Sequence, residues 1–100
     1  MLKISVIDTR TQRRLVLEGK LLGPWTEELR TAGRSAVVGR ADRDLVIDMR
    51  NVTAIGGDGE AALLELMLQG ASFRCCGLFT KQLVKRLARI ASTQQKETKE

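Results

Sequence analysis

This chain has no histidine and no tyrosine, so the commonest general base and metal ligand is missing. No serine or cysteine stands beside an activating partner. The two cysteines are the adjacent pair Cys75 and Cys76, a spacing that fits neither a metal site nor a redox dithiol. They read as buried thiols. Catalysis, metal binding and a cofactor are therefore not expected. The residues best placed to act are Asp48, Asn51 and the run Gly56-Gly57-Asp58-Gly59-Glu60. Three glycines surround one carboxylate just before an alanine and leucine run, which puts Asp58 at or near a helix N-terminus. Free backbone N–H groups and the positive end of the helix dipole would stabilise a carboxylate there by roughly 0.5 to 2 kcal/mol. The run lacks both the Lys-Ser/Thr of a P-loop and the spacing of a dinucleotide loop, and its own carboxylate would repel a phosphate. Asp58 is then either a helix cap or part of a binding or regulatory site.

The elements around this loop follow from periodicity. Leu45 to Met49 is a short apolar run with β-branched members, apolar enough to lie inside a sheet. Upstream, Leu2, Ile4 and Val6 alternate with Lys3, Ser5 and Ile7 as in a half-buried strand. A polar turn at 8–12 leads to a second strand, Arg14 to Glu18, and so short a connection predicts an antiparallel hairpin. Gly19 to Gly23 should then lead away from the sheet. Pro24 suits the first position of a helix, with Trp25, Leu29, Ala32 and Ala36 at helical spacing and Trp25 a core residue. Gly33 should weaken that helix by about 1 kcal/mol, so that it frays or ends before Val37.

After the charged loop at 39–44 and the central strand, a second helix is predicted from about Asp58 to Gln69, the most buried of the three, with Gly70 as its C-cap. Ser72 to Leu78 reads as a strand, and Thr80 as the N-cap of a last helix with Leu83, Val84, Leu87, Ile90 and Ala91 on one stripe. The polar, aperiodic segment 92–100 is expected to be a disordered tail, leaving one domain at 1–91. The order β-β-α-β-α-β-α implies an α/β fold with a small mixed sheet: an N-terminal antiparallel hairpin followed by βαβ units.

The net charge of +5 raises nucleic acid as a partner, yet the positive residues are scattered and the only aromatics are Trp25, Phe73 and Phe79. Without interleaved stacking residues, a nucleic-acid surface is not the expected one. The longest apolar stretch falls well short of the roughly 18 residues a membrane span needs, and the amino end carries no leader pattern. A cytoplasmic protein without membrane insertion is the expectation.

The stretch from Leu15 to Ile90 resembles the STAS domain, the family named for sulfate transporters and anti-sigma factor antagonists. Leu15-Val16-Leu17-Glu18-Gly19-Lys20-Leu21 is similar to that family's "vLxLxGxL" strand. Val46-Ile47-Asp48-Met49-Arg50-Asn51-Val52-Thr53-Ala54-Ile55 with Gly56-Gly57-Asp58-Gly59 is similar to its "vvlDlsgvtfiDSSGl" core, and Leu83-Val84-Lys85-Arg86-Leu87 to its "vkrll" segment. The resemblance implies a protein-interaction module of the anti-anti-sigma type. Its partner would be a kinase-like anti-sigma factor or another bacterial regulator, with a homodimer left open. Matching D-S-S-G onto this chain puts Gly56 at the acidic position, Gly57 at the first serine and Asp58 at the serine that the family phosphorylates. The acceptor hydroxyl is absent, Glu60 replaces an apolar residue, and the family's terminal strand and helix have no counterpart after Ile90. Asp58 thus has two readings, a phosphoserine stand-in or a cap in a module without a switch, and the second is favoured. The partner surface is expected at Asp48, Asn51, Gly56, Gly57, Asp58, Gly59 and Glu60. An accessory subunit of a membrane transporter and a small basic nucleic-acid binder are the alternatives.

Overall fold

The computed structural model describes residues 1–75 and 77–98, with side chains through Thr93. Strands β1 (Leu2–Asp8), β2 (Gln12–Leu21), β3 (Asp44–Ile55) and β4 (Ser72–Arg74) alternate with helices α1 (Trp25–Gly39), α2 (Gly57–Leu68) and α3 (Leu78–Thr98). They form one sheet in the order β1-β2-β3-β4. The hairpin β1-β2 is antiparallel, while β2-β3 and β3-β4 are parallel, bridged by α1 and α2. This is the mixed sheet that the alternation of elements implied. At the hairpin tip the Thr9 hydroxyl accepts from the Gln12 N–H at 3.0 Å, and Arg13 grips the Asp8 carboxylate through two nitrogens at 2.8 and 3.0 Å.

Strand β3 decides the layering. Its side chains alternate, so Leu45, Ile47 and Met49 enter the core, where none is more than 1% exposed. Register places Leu15 beside Ile47 and Ile4 beside Leu17, which carries the same face across three strands. Leu29 and Ala36 of α1, Ala62, Leu63 and Leu66 of α2, and Leu83 and Leu87 of α3 close over it. All three helices therefore pack on one side. Val46, Asp48 and Arg50 turn to the other side, which no helix of that core covers.

Several boundaries differ from the sequence expectation, each for a local reason. Strand β2 does not leave the sheet at Gly19; it continues to Leu21 because β3 also continues, to Ile55, and Lys20 and Leu21 pair with Ala54 and Ile55. Register shifts between Val16 and Glu18 and between Gly19 and Lys20 absorb the irregularity, and Gly19 takes a φ of +109° there. Helix α1 does not fray at Gly33 but runs to Gly39. A Cβ on Gly33 would stand 2.7 Å from Leu66 Cδ2, so the glycine lets α1 and α2 approach closely, and this packing outweighs its poor helix propensity. Gly33, not Ala32, lies fully on the buried stripe, and Trp25 is half-buried against the core.

Strand β4 stops at Arg74, and Gly77 turns the chain with a φ of +95°, so α3 begins at Leu78. Thr80 is consequently inside the first turn, buried, with its hydroxyl donating back to the Gly77 carbonyl at 3.4 Å, rather than capping the helix. The expected stripe on α3 holds at Leu83, Leu87 and Ala91, whereas Ile90 is 39% exposed. Helix α3 extends through Thr98, so 92–98 of the segment expected as a tail are helical backbone, and 99–100 lie outside the described residues. Cys76 also lies outside them.

The end of α2 shows how a single residue stops a helix. The Gly70 N–H donates to the Met67 carbonyl and the Ala71 N–H to the Leu66 carbonyl, both at 3.0 Å, while Gly70 sits at a φ of +94°. That is a Schellman arrangement, with Ala71 and Leu66 both in the core. An alanine cannot take this φ without strain of roughly 1 to 2 kcal/mol, so Gly70→Ala should lower unfolding free energy by about that amount in urea titration.

Candidate partner-binding site

The glycine run stands at the carboxyl end of β3, where the chain passes from sheet to helix. Gly56 is the N-cap, in extended conformation and with no side-chain cap, and its carbonyl accepts the first helical bond from the Glu60 N–H at 3.0 Å. Asp58 is therefore the second residue of α2, exposed, and it makes no capping hydrogen bond. The expectation of an aspartate cap is corrected here. Because β3 extends to Ile55, the helix starts at Gly57 and the cap position falls on a residue without a side chain. What Asp58 retains is proximity to the helix dipole, worth about 0.3 to 1 kcal/mol at an exposed site.

The loop is positioned by β2. The Gly56 N–H donates to the Leu21 carbonyl at 3.0 Å, and a Cβ on Gly59 would lie 2.9 Å from that same oxygen and 2.8 Å from Leu21 Cγ. Gly59 is buried for this reason, while Gly57 faces open space. Glu60 is half-buried and paired with Arg86 of α3 at 2.6 Å, which ties the start of α2 to the last helix. Thr53 is exposed, with its hydroxyl donating to the Gly19 carbonyl at 3.2 Å, and Asn51 is exposed on the same extended strand.

Of the residues expected to share one surface, Gly56, Gly57, Asp58, Gly59 and Glu60 are contiguous, and Asn51 lies in the part of β3 leading to them. Asp48 is different. It is 3% exposed within the sheet, and Arg50 clasps it through the backbone N–H at 3.1 Å, Nε at 3.0 Å and an Nη at 2.7 Å. Residues two apart on a strand share a face, so the pairing was available in the spacing Asp48-Met49-Arg50. The Arg50 side chain, then its backbone N–H and the nearby Arg14 charge, hold the Asp48 carboxyl below the ordinary carboxylate range against the opposing effect of burial. A carboxylate committed in this way is not displayed to a partner at the loop.

Cys75 is half-buried, and burial raises its thiol pKa with only partial opposition from Lys81. That suits an inert thiol. Among the described residues no three His, Cys, Asp or Glu side chains converge as metal ligands, and no helix is long and apolar enough to cross a membrane. A groove of about 370 Å³ lies between α1 and α2, lined by Gly33, Val37, Ala62 and Leu66 with Arg30 and Arg34. It contains none of the glycine-run residues.

No family model matches this chain, and no curated protein matches it. Among solved structures, it is similar to an uncharacterised protein of the DUF3478 family with a SpoIIAA-like fold from Shewanella loihica. That alignment covers 87% of this chain and 76% of the other, at a TM-score of 0.57 and 16% identity. It is also similar to the antisigma-factor antagonist STAS domain from Rhodobacter sphaeroides, over 76% of this chain and 86% of the other, at a TM-score of 0.48 and 19% identity. The fold is SpoIIAA-like. It is the architecture that the motif resemblance to STAS domains implied.

Two outcomes follow from the geometry. Gly59→Ala should destabilise by roughly 1 to 3 kcal/mol, since a backbone oxygen cannot yield to the new methyl, whereas Gly57→Ala should be neutral or stabilising by up to about 1 kcal/mol. Paired thermal melts decide this. Asp48 has a folded-state pKa below its unfolded value of about 3.9, so its contribution is complete at neutral pH and is lost as pH falls from about 4 through the lower folded value. Asp48→Asn should cost on the order of 1 to 3 kcal/mol at pH 7, and the gap to wild type should narrow in unfolding titrations below about pH 4.

Proposed function

We propose that this chain is a STAS-like protein-interaction module of the anti-sigma factor antagonist type, working by binding rather than catalysis, in the cytoplasm, and without a serine phosphorylation switch. The observation that carries the reading is the exposed Gly57-Asp58 corner, held at the end of β3 by Leu21 and Gly59. It falls where the STAS pattern has its acceptor serine. The docking surface in this reading comprises Gly56, Gly57, Asp58 and Glu60, with Asn51 beside them and a kinase-like anti-sigma factor as the fitting class of partner.

The absence of a switch has a direct chemical basis, because no hydroxyl side chain occurs between Thr53 and Ser72. Incubation with ATP and a kinase-like anti-sigma factor should leave the intact mass unchanged. Asp58→Ser supplies a hydroxyl, removes a charge and should cost less than about 1 kcal/mol, since only the dipole interaction is lost. If Asp58 stands in for phosphoserine, the same change should raise partner affinity, although one carboxylate supplies less charge than the roughly 1.5 to 2 of a phosphate. Equal affinity of the wild type, Asp58→Ser and Asp58→Ala would reject the stand-in. Gly57→Arg projects a large side chain into open space, and binding that ignored it would reject the loop as the docking surface.

A further inference from the structure

The sheet ends in two unlike edges. At one, β4 pairs over three residues and the chain then leaves the sheet, a short form that resists further pairing. At the other, β1 pairs with β2 in unbroken register over all seven residues, without a proline, and β2 is its only strand neighbour among the described residues. Two bonds at the ends of this ladder fix where its backbone groups point. The Lys20 N–H donates to the Met1 carbonyl at 2.9 Å and the Thr9 N–H to the Gln12 carbonyl at 2.8 Å, each between residues that the register sets opposite one another. Antiparallel pairs alternate, so the odd residues of β1 bond to β2, and Leu2, Ile4, Val6 and Asp8 turn their N–H and C=O groups outward.

Apolar side chains accompany this open ladder. Val6, on the helix side of the sheet, is 55% exposed and Ile7, on the other side, is 47% exposed, although Leu2 of the same strand is buried. A long, unbulged edge carrying exposed β-branched residues is a template for another strand.

We infer that β1 pairs antiparallel with β1 of a second copy of this chain, joining two four-stranded sheets into one of eight strands. A two-fold axis normal to the sheet keeps the helices of both copies on one side, so residues opposed across it are both odd or both even. Centring the axis on Ser5, the midpoint of β1, uses the whole strand. Ile4 of one copy then opposes Val6 of the other on the helix side, with their outward backbone groups bonded, and Lys3 opposes Ile7 on the open side. Both exposed side chains are covered, and the Lys3 stem lies along Ile7 with its ammonium in water.

Seven paired residues alone bury less than the roughly 1,200 to 2,000 Å² of a stable interface, and α1 adds to them. Arg30, Arg34 and Val37 turn toward α2, which leaves Glu28, Ala32 and Ser35 on the flank beside β1. Helix α1 runs antiparallel to β2, with Gly39 against Arg13 and Trp25 just past Leu21, so Ala32 and Ser35 fall near the level of Val16, the residue opposite Ser5. Two small residues close to the axis let a second α1 approach.

Sedimentation velocity on the full chain across a concentration series tests this. The mass should rise from 11.1 kDa toward twice that value. Val6→Lys sets a charge at the junction, and Val6→Pro removes an outward N–H without touching the β1-β2 ladder. Each should weaken association about tenfold or more, with the melt of dilute protein showing that the fold persists. Ser5→Cys reads the register: opposed residues that share no hydrogen bond stand about 4.5 Å apart at Cα, within disulfide reach, so oxidation should link copies through that position, as mapped by peptide mass. Lys3→Cys should not cross-link, because its own counterpart lies several residues away along the pairing. Asp58→Ser, at the glycine run, should leave association unchanged, and a loss there would place the contact at that run instead. A chain that stays monomeric at its highest soluble concentration, a dimer indifferent to both Val6 variants, or a dimer that Ser5→Cys fails to cross-link would each overturn the inference.

Discussion

The parallel pairing of β2 with β3 is the constraint from which the rest of the architecture follows. Two parallel neighbours cannot be joined by a tight turn, so the chain must cross over the sheet, and α1 is that crossover. The same logic applied to β3 and β4 requires α2. Both crossovers lie on one side, and α3 joins them there, so β3 has its Leu45, Ile47 and Met49 face in a shared core. Among the described residues no helix forms a second layer on the opposite face. It is closed locally by long polar side chains, of which Arg50 over Asp48 is the clearest case.

That solution is unusual in its energetics. A carboxylate 3% exposed in a sheet would be expensive if unpaired, and removal of its partner would leave an uncompensated charge. Here the compensation comes from two positions along the same strand, so it forms whenever β3 is extended and needs no distant element. Arg14, from the neighbouring strand, adds to the same field. The sheet thus keeps its polar face together with local interactions, while the helical face depends on long-range packing.

Much of this was legible in the sequence, and the failures have physical causes. The alternation in β1, the apolar run at 45–49 and the helical spacings of α1, α2 and α3 identified every element, since each buries one continuous face. Boundaries were lost where tertiary pairing overrode a local signal. Gly19 looked like an exit from the sheet, but two long strands held each other past it. Gly33 looked like a helix breaker, but it is a contact point for Leu66. At the loop, glycine and aspartate correctly marked a helix start, yet the one-residue placement that separates a cap from a first-turn residue depended on where β3 ended. The Asp48-Arg50 and Glu60-Arg86 pairs were missed for different reasons. The first was readable from strand periodicity, whereas the second joins residues 26 apart in sequence and needed the packing of α2 against α3.

The contact between Gly59 and the Leu21 carbonyl bears on the entropy of recognition. A glycine-rich loop free to wander must be ordered when it is bound, at a cost of roughly 1 to 2 kcal/mol for each residue fixed. This one is already fixed at both ends, by the Gly56 N–H on Leu21 and by the seat of Gly59 against the same residue. Gly56 and Gly59 serve close approach more than mobility, whereas Gly57 faces open space. A molecule meeting the exposed corner between those anchors finds a preorganised surface, and little of the interaction free energy is spent on ordering it.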